Sequence, residues 1–230
     1  MNEQRPIVQL CDLRFGWPRH RAPCLEIARF AIQRGERVFL HGPSGSGKTT
    51  LLSILGGVLT PQQGRVHVLG TDLNGLSAVA RDRFRADHIG FVFQLFNLIP
   101  HLSVLENIVL PCKFSRRRRA NLAGVTLNAE AKRLAAHLDL SSDLFARAAA
   151  ELSVGEQQRV AAARALIGGP ELVIADEPTS ALDADRQKSF LDLLLAESAA
   201  AGATVLFVSH DRRLAERFDR VLALPELNCA

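Results

Sequence analysis

Eight consecutive residues carry the densest chemistry in this sequence. Gly42-Pro43-Ser44-Gly45-Ser46-Gly47-Lys48-Thr49 fits the spacing G-x-x-x-x-G-K-[ST]. Glycines at those positions let the backbone curl until its N–H groups point inward, which makes a cradle for phosphate oxygens. Lys48 would reach the β- and γ-phosphates of a nucleoside triphosphate, and the Thr49 hydroxyl would hold Mg²⁺. The flanks suit that reading. Val38, Phe39 and Leu40 form a short apolar strand, and the segment from Thr49 and Thr50 through LLSILGG has the apolar spacing of a helix start. The phosphates would then lie at a helix N-terminus, where the dipole favours an anion.

A second set of candidates lies in ELVIADEPTSALD, residues 171 to 183. Leu172 to Ala175 is a continuous apolar run, as a strand covered on both faces requires. It ends in Asp176 and Glu177, then Pro178, which cannot extend a central ladder. Open α/β sheets place ligands at the carboxyl ends of parallel strands. Two adjacent carboxylates repel each other unless a cation lies nearby. The division of labour that follows gives Asp176 to Mg²⁺, through its water shell, and makes Glu177 the base that orients and deprotonates an attacking water. A helix cap after a strand is the plainer alternative.

Two more strand ends carry polar groups. Val205 to Val208 precede Ser209 and His210, and His210 could touch the γ-phosphate or the water, although a lone His is often structural. IGFVFQ closes on Gln94, whose amide oxygen could ligate Mg²⁺ or hold water. Gly42–Thr50, Gln94, Asp176–Glu177 and His210 are expected to converge on one nucleotide. ELSVGEQQRV, residues 151 to 160, raises a separate question. Ser153 and Gly155 ahead of a helix suit an anion-binding turn, a second one in a chain that already has a better phosphate site.

The elements that must position these groups fit within 230 residues, 47% of them apolar, which is enough for one large domain with a real core. Charged residues make up 23%, so the composition is not that of a disordered chain. The net charge of +4 is a mild excess, and much of it lies in the run Arg116 to Arg119. A solvated loop is the bland reading of that run. Docking on anionic lipid headgroups comes next, and nucleic acid third, because the run has no aromatic residues among it for base stacking. Cys11, Cys24, Cys112 and Cys229 are far apart and show no ligand spacing, which suggests neither a zinc site nor a disulfide framework and fits a reducing compartment. The N-terminus MNEQRPIVQL lacks an apolar core of signal-peptide length, and no window approaches 18 uninterrupted apolar residues. A soluble, cytoplasmic chain is the expectation, with any membrane span supplied by another polypeptide. No room for a regulatory domain is expected after FDRVLALPEL.

The order of phosphate loop, glutamine, LSxGx segment, ADEP, SALD and late histidine resembles that of ATP-binding cassette (ABC) ATPases, over nearly the whole chain. The resemblance implies an α/β fold, a P-loop NTPase with a RecA-like core, an N-terminal antiparallel β subdomain and a helical subdomain inserted at about residues 95–165. It implies an ATPase using ATP and Mg²⁺ as the motor of a transporter. IGFVFQLFNLIPHLSVLENIVLP and LLSILGGVLTPQQG look most like subunits of the lipoprotein-releasing and macrolide-exporter branch, whose motors work with a separate transmembrane permease. The motor would sit on the inner face of the cytoplasmic membrane through that permease.

The resemblance also accounts for the second anion turn. Ser153, Gly155 and Glu156 look like the signature motif, which binds the ATP held by a second copy of the chain, so two copies pack head to tail around two ATP. Ser180 to Asp183 resembles the loop that crosses this junction. One departure stands out: the family usually reads LSGGQ or LSGGE, and this chain reads LSVGE. Val154 is expected to resist φ > 0 and to crowd a close ligand, slowing closure. Glu156 stands where glutamine is common.

Members of the family stack an aromatic ring on adenine near residues 13 to 20. Trp17 is the better candidate and Phe15 the alternative, since Phe15 alternates with Leu13 and could face the core. After Gln94, the apolar Phe96, Leu98, Ile99 and Leu102 either fill the helical lobe or line a groove for a helix of the membrane partner. DADRQKSFLDLLLAESAAAG reads as an amphipathic helix capped by Asp183, with Phe190, Leu191, Leu194 and Leu195 on one face. Two other function classes compete. A soluble ABC-type ATPase acting on nucleic acid or ribosomes usually carries coiled coils or paired cassettes, which this chain lacks, and no specific nucleic acid partner is expected. A P-loop kinase or GTPase would have neither the signature segment nor ADEP.

Overall fold

A computed structural model describes residues 5–18, 22–180 and 182–230. Ala181, in the SALD loop, lies outside them. In chain order the elements are β1 (Val8–Phe15), β2 (Leu25–Ile32), β3 (Arg37–His41), α1 (Lys48–Leu55), β4 (Gln63–Val68), β5 (Thr71–Asp72), α2 (Ala78–His88), β6 (Ile89–Val92), α3 (Val104–Phe114), α4 (Arg116–Ala120), α5 (Leu127–His137), α6 (Val154–Leu166), β7 (Leu172–Asp176), α7 (Ala184–Ala200), β8 (Thr204–Val208), β9 (Arg220–Ala223) and α8 (Leu224–Leu227). They form two compact units, Met1–Arg85 with Leu206–Ala230, and Ala86–Val205, the divisions falling inside α2 and β8.

The first unit contains the antiparallel sheet expected near the N-terminus, in the order β2-β1-β4-β5. Its apolar alternation faces Val8, Leu10, Leu13 and Phe15 inward, although Leu10 and Leu13 are an odd number of residues apart. A bulge between Cys11 and Arg14, with Asp12 at φ 50°, absorbs the extra residue and keeps the apolar set on one face. Val8 sits opposite Ile32 on β2 and Val68 on β4. In the same unit, β3 pairs in parallel with β9, Val38 facing Arg220 and Leu40 facing Leu222. The other edge of β3 meets the chain leaving β8, where Ser209 N–H donates to the Leu40 carbonyl at 3.2 Å. Phe39, fully buried, packs on Phe207 and Phe218 with ring centroids 6.2 and 5.3 Å away.

In the second unit β6 and β7 pair in parallel, with Ile89 opposite Leu172 and Val92 opposite Ala175. All five residues of β7 are buried, as its unbroken apolar run requires. Thr204, opening β8, donates to the Glu171 carbonyl at 2.9 Å and so lines up with the start of β7. α3, α5 and α6 pack together, and α3 begins with a Ser103–Glu106 capping box. Asn107, buried on α3, accepts from Ile99 N–H and donates to the Ile99, Leu102 and Ser103 carbonyls, which fixes the connector entering the helix. α7 starts on the expected Asp183 cap and buries Phe190, Leu191, Leu194 and Leu195.

The arginine run departs from a solvated loop. Residues 116–120 are helical, and Arg118 is 1% exposed. Its guanidinium donates to the Ala165 and Ile167 carbonyls at 3.1 Å and to the Ile89 carbonyl at 2.6 Å. Gly168 makes the approach possible, since a Cβ there would lie 2.6 Å from Arg118 Cβ on a backbone at φ 71°. Among the described residues no helix is long and apolar enough to cross a membrane.

Candidate nucleotide site

The glycine loop belongs to the first unit and leads from β3 into α1. Gly47 ends it at φ 98°, where a Cβ would lie 2.8 Å from the Leu25 side chain, so only glycine turns the chain here without strain. Lys48 folds back and donates to the Gly42 and Pro43 carbonyls at 2.9 and 3.0 Å, which wraps the loop around its ammonium. Ser46 Oγ is buried with no hydrogen-bond partner among the described residues. A phosphate oxygen would satisfy it, so the loop fits the group that its sequence implies. Thr49 and Thr50 open α1, Thr49 exposed and Thr50 buried. The Ser209–Leu40 bond sets the end of β8 beside the end of β3, so this unit brings His210, exposed, to the loop's end of the sheet. Trp17 is 43% exposed, while Phe15 is 5% exposed and packs edge-on against it at 5.2 Å.

The second unit gathers the acids. Asp176 is the buried last residue of β7, and the Val92–Ala175 pairing puts the chain leaving β6, with Gln94 exposed, at the same end. β6 stops at Val92, two residues before Gln94. Glu177, half-buried, has φ 46°, the left-handed region that non-glycine residues seldom adopt. Such strain persists where the surroundings fix it, and it collects at sites that aim a side chain. Within this unit Gln94 and Asp176 offer amide and carboxylate oxygens, donors of the kind that suits Mg²⁺.

The LSVGE segment forms the start of α6. Ser153 caps the helix in a reciprocal box: Glu156 N–H donates to Ser153 Oγ at 3.4 Å, and Ser153 N–H and Oγ both donate to Glu156 Oε2 at 2.7 Å. The Ser153 hydroxyl and N–H hydrogen bonds hold the Glu156 carboxyl below the usual carboxylate range. Val154 is the first helical residue, not a left-handed one, so the expected backbone conflict does not arise. Its side chain is 49% exposed. Gly155 leaves open space, its nearest neighbour being the Leu182 side chain 4.0 Å from where a Cβ would be. This turn therefore adjoins the loop that follows Glu177.

A family model described as ABC transporter matches residues 25–180. The chain belongs to the ABC transporter family. It is an ATP-binding, ATP-hydrolysing subunit of the kind that drives transport. This cassette is 40% identical over 225 residues to the macrolide export ATP-binding/permease protein MacB 1 of Aeromonas hydrophila, covering 97% of this chain and 34% of that protein. It is 42% identical over 227 residues to the lipoprotein-releasing system ATP-binding protein LolD of Novosphingobium aromaticivorans, covering 96% of this chain and 97% of that one. The chain thus spans about a third of the MacB relative and nearly all of the LolD relative. Among solved structures, a dimeric post-hydrolysis state of the ATP-binding cassette MJ0796 bound to ADP and Pi is 35% identical with a TM-score of 0.84, covering 94% of this chain and 93% of that one. The P-loop α/β fold and the family resemblance are thereby established.

Some features of this cassette have no counterpart in the sequence reading. Phe96, for which the sequence leaves both the lobe's core and a groove open, is 7% exposed, whereas Leu95 is 83% and Phe93 37% exposed. Phe96 and Asn97 both adopt left-handed backbone, at φ 58° and 49°, which turns Phe96 in and Leu95 out. Arg164, on the last turn of α6, holds that turn by donating to the Phe96 and Asn97 carbonyls. Burial pulls the Arg164 guanidinium down to about 10, and among the described residues no carboxylate offsets it. Consecutive left-handed residues other than glycine leave no mark in the residue pattern.

Proposed function

We propose that two copies of this chain close head to tail around two ATP and that closure drives a separate transmembrane permease in an export or extrusion system. The supporting observation is the first turn of α6: Ser153 and Val154 face outward and Gly155 leaves open space, so the turn can receive a phosphate from a second copy. Similarity to a dimeric cassette structure and to the LolD and MacB proteins supports the same reading.

In this reading Gly42 to Thr50 hold the triphosphate, with Lys48 exchanging its two loop carbonyls for phosphate oxygens. Trp17 stacks on the adenine. Thr49, Gln94 and Asp176 would hold Mg²⁺, which supplies charge neutralisation between the phosphates. Glu177 accepts the proton of the attacking water, and Gln94 and His210 keep that water and the γ-phosphate in line. Ser153, Gly155 and Glu156 of the second copy complete the phosphate shell. Closing of the pair pulls on the permease at the cytoplasmic face of the membrane, where exposed Leu95 and Phe93 offer it an apolar contact.

The test is the ATPase rate per chain as a function of protein concentration. Head-to-tail sharing requires a rate that climbs steeply with concentration before levelling off. A rate per chain that is constant from high dilution upward overturns it. A soluble cassette acting on nucleic acid would instead respond to added RNA or DNA.

A further inference from the structure

The arginine run serves two directions. Arg118 is committed inward to three carbonyls. Arg117 pairs with Glu171, which also takes a hydrogen bond from His88 at 3.1 Å. Ser115, the residue between α3 and α4, donates to Asp87 and accepts from Arg118 N–H. With Asn121, whose side-chain amide donates to the Gly168 carbonyl at 3.0 Å, these contacts fix α4 at both ends. Arg116 and Arg119, three residues apart, share the other face of α4, and they are exposed together with Lys113 at the end of α3. Among the described residues these three cations make no ion pair. Between them stands Phe114, 74% exposed, more than Trp17 or Phe93. From Lys113 to Val125 the sequence contains no Asp or Glu.

We infer that Lys113, Phe114, Arg116 and Arg119 form a docking surface for an anionic lipid bilayer. A basic patch without acids is attracted to the negative surface of a membrane leaflet, and a projecting aromatic ring is the side chain that settles at its headgroup level. Charge complementarity favours lipid over a protein partner here, because an apolar protein contact would leave three cations desolvated and unpaired. One projecting ring between arginines gives a strand of nucleic acid a single stacking partner where a reader of bases needs a series. The four-arginine spacing thereby gains a reason: the middle two anchor α4 so that the outer two and Phe114 face out. This surface is independent of the permease contact and would set the cassette's orientation against the bilayer.

The experiment is co-sedimentation of the purified chain with vesicles of phosphatidylcholine, with and without phosphatidylglycerol. Binding to the anionic vesicles only, weakened by salt, is expected. The double variant Arg116→Glu/Arg119→Glu should lower the partition coefficient at least about tenfold, and Phe114→Ser should lower it further, both with unchanged ATPase and thermal melting. The control Arg29→Glu/Arg65→Glu, with the same change of net charge on the antiparallel sheet, should leave binding nearly unchanged. Equal binding to neutral vesicles, equal losses in the control, or loss of duplex DNA binding with vesicle binding intact would each overturn the assignment. So would a chain that ignores anionic vesicles altogether.

Discussion

Arg164 Nη1 lies 2.7 Å from the Asn97 carbonyl oxygen, and the same guanidinium also donates to the Phe96 carbonyl. One end of α6 is the capped turn at Ser153, proposed above to receive a phosphate, and the other end grips the loop that follows Gln94. A helix capped at one functional segment and tied at its far end to another moves them as one body. Replacing Arg164 by Met leaves two carbonyls without their donor, at a cost of about 1–3 kcal/mol. The expected result is faster amide hydrogen exchange at residues 96–99 with exchange of β7 unaltered. Unaltered exchange in the loop would show that Arg164 does not hold it.

Acid should loosen the same unit through Glu171. Burial pushes its carboxyl up, but hydrogen bonds from His88 and Arg117 outweigh that and bring it down to about 2, against an ordinary 4.5. Because the folded value lies below the unfolded one, the stabilisation is present above the ordinary value and is lost as pH falls from about 4.5 towards about 2. Urea unfolding should show the wild type losing more stability over that window than Glu171→Gln, by on the order of 2 kcal/mol. Parallel pH curves for the two proteins would contradict the pairing.

Val154→Gly should matter little. Val154 already has helical backbone, so glycine relieves no strain and costs only about 0.5 kcal/mol of helix propensity. ATPase turnover is expected to stay within a few-fold. A gain of tenfold, about 1.4 kcal/mol in the barrier, would place the obstacle in the exposed valine side chain.

Trp17 is the sole tryptophan of the chain, so its emission tests the proposed adenine stack directly. ATP should quench it, and Trp17→Ala should weaken ATP binding by the roughly 1–3 kcal/mol that a base–aromatic stack supplies. Emission that is indifferent to ATP would remove Trp17 from the site.

Much of this architecture was legible in the sequence because each motif also dictates its local structure. The run Leu172–Ala175 could only be a covered strand, and Asp183 ahead of a 3.6-residue apolar period could only cap a helix. What was hidden depends on partners distant in the chain. Arg118 looks like any surface arginine until the Ala165, Ile167 and Ile89 carbonyls close on it. Phe96 and Leu95 are equally apolar, and only the left-handed turn decides which is buried. The backbone of Val154 is likewise hidden, because only the Ser153 cap shows it to be the first helical residue rather than part of a left-handed turn.

Glu177 decides the central claim. Glutamine at position 177 keeps the shape of the side chain and removes the proposed base, so bound ATP should persist uncleaved. The direct measurement is sedimentation velocity of Glu177→Gln with saturating Mg-ATP. The account predicts a species of twice the chain mass that dissolves when the nucleotide is removed, whereas a lone 25.1 kDa particle at every protein concentration would contradict it.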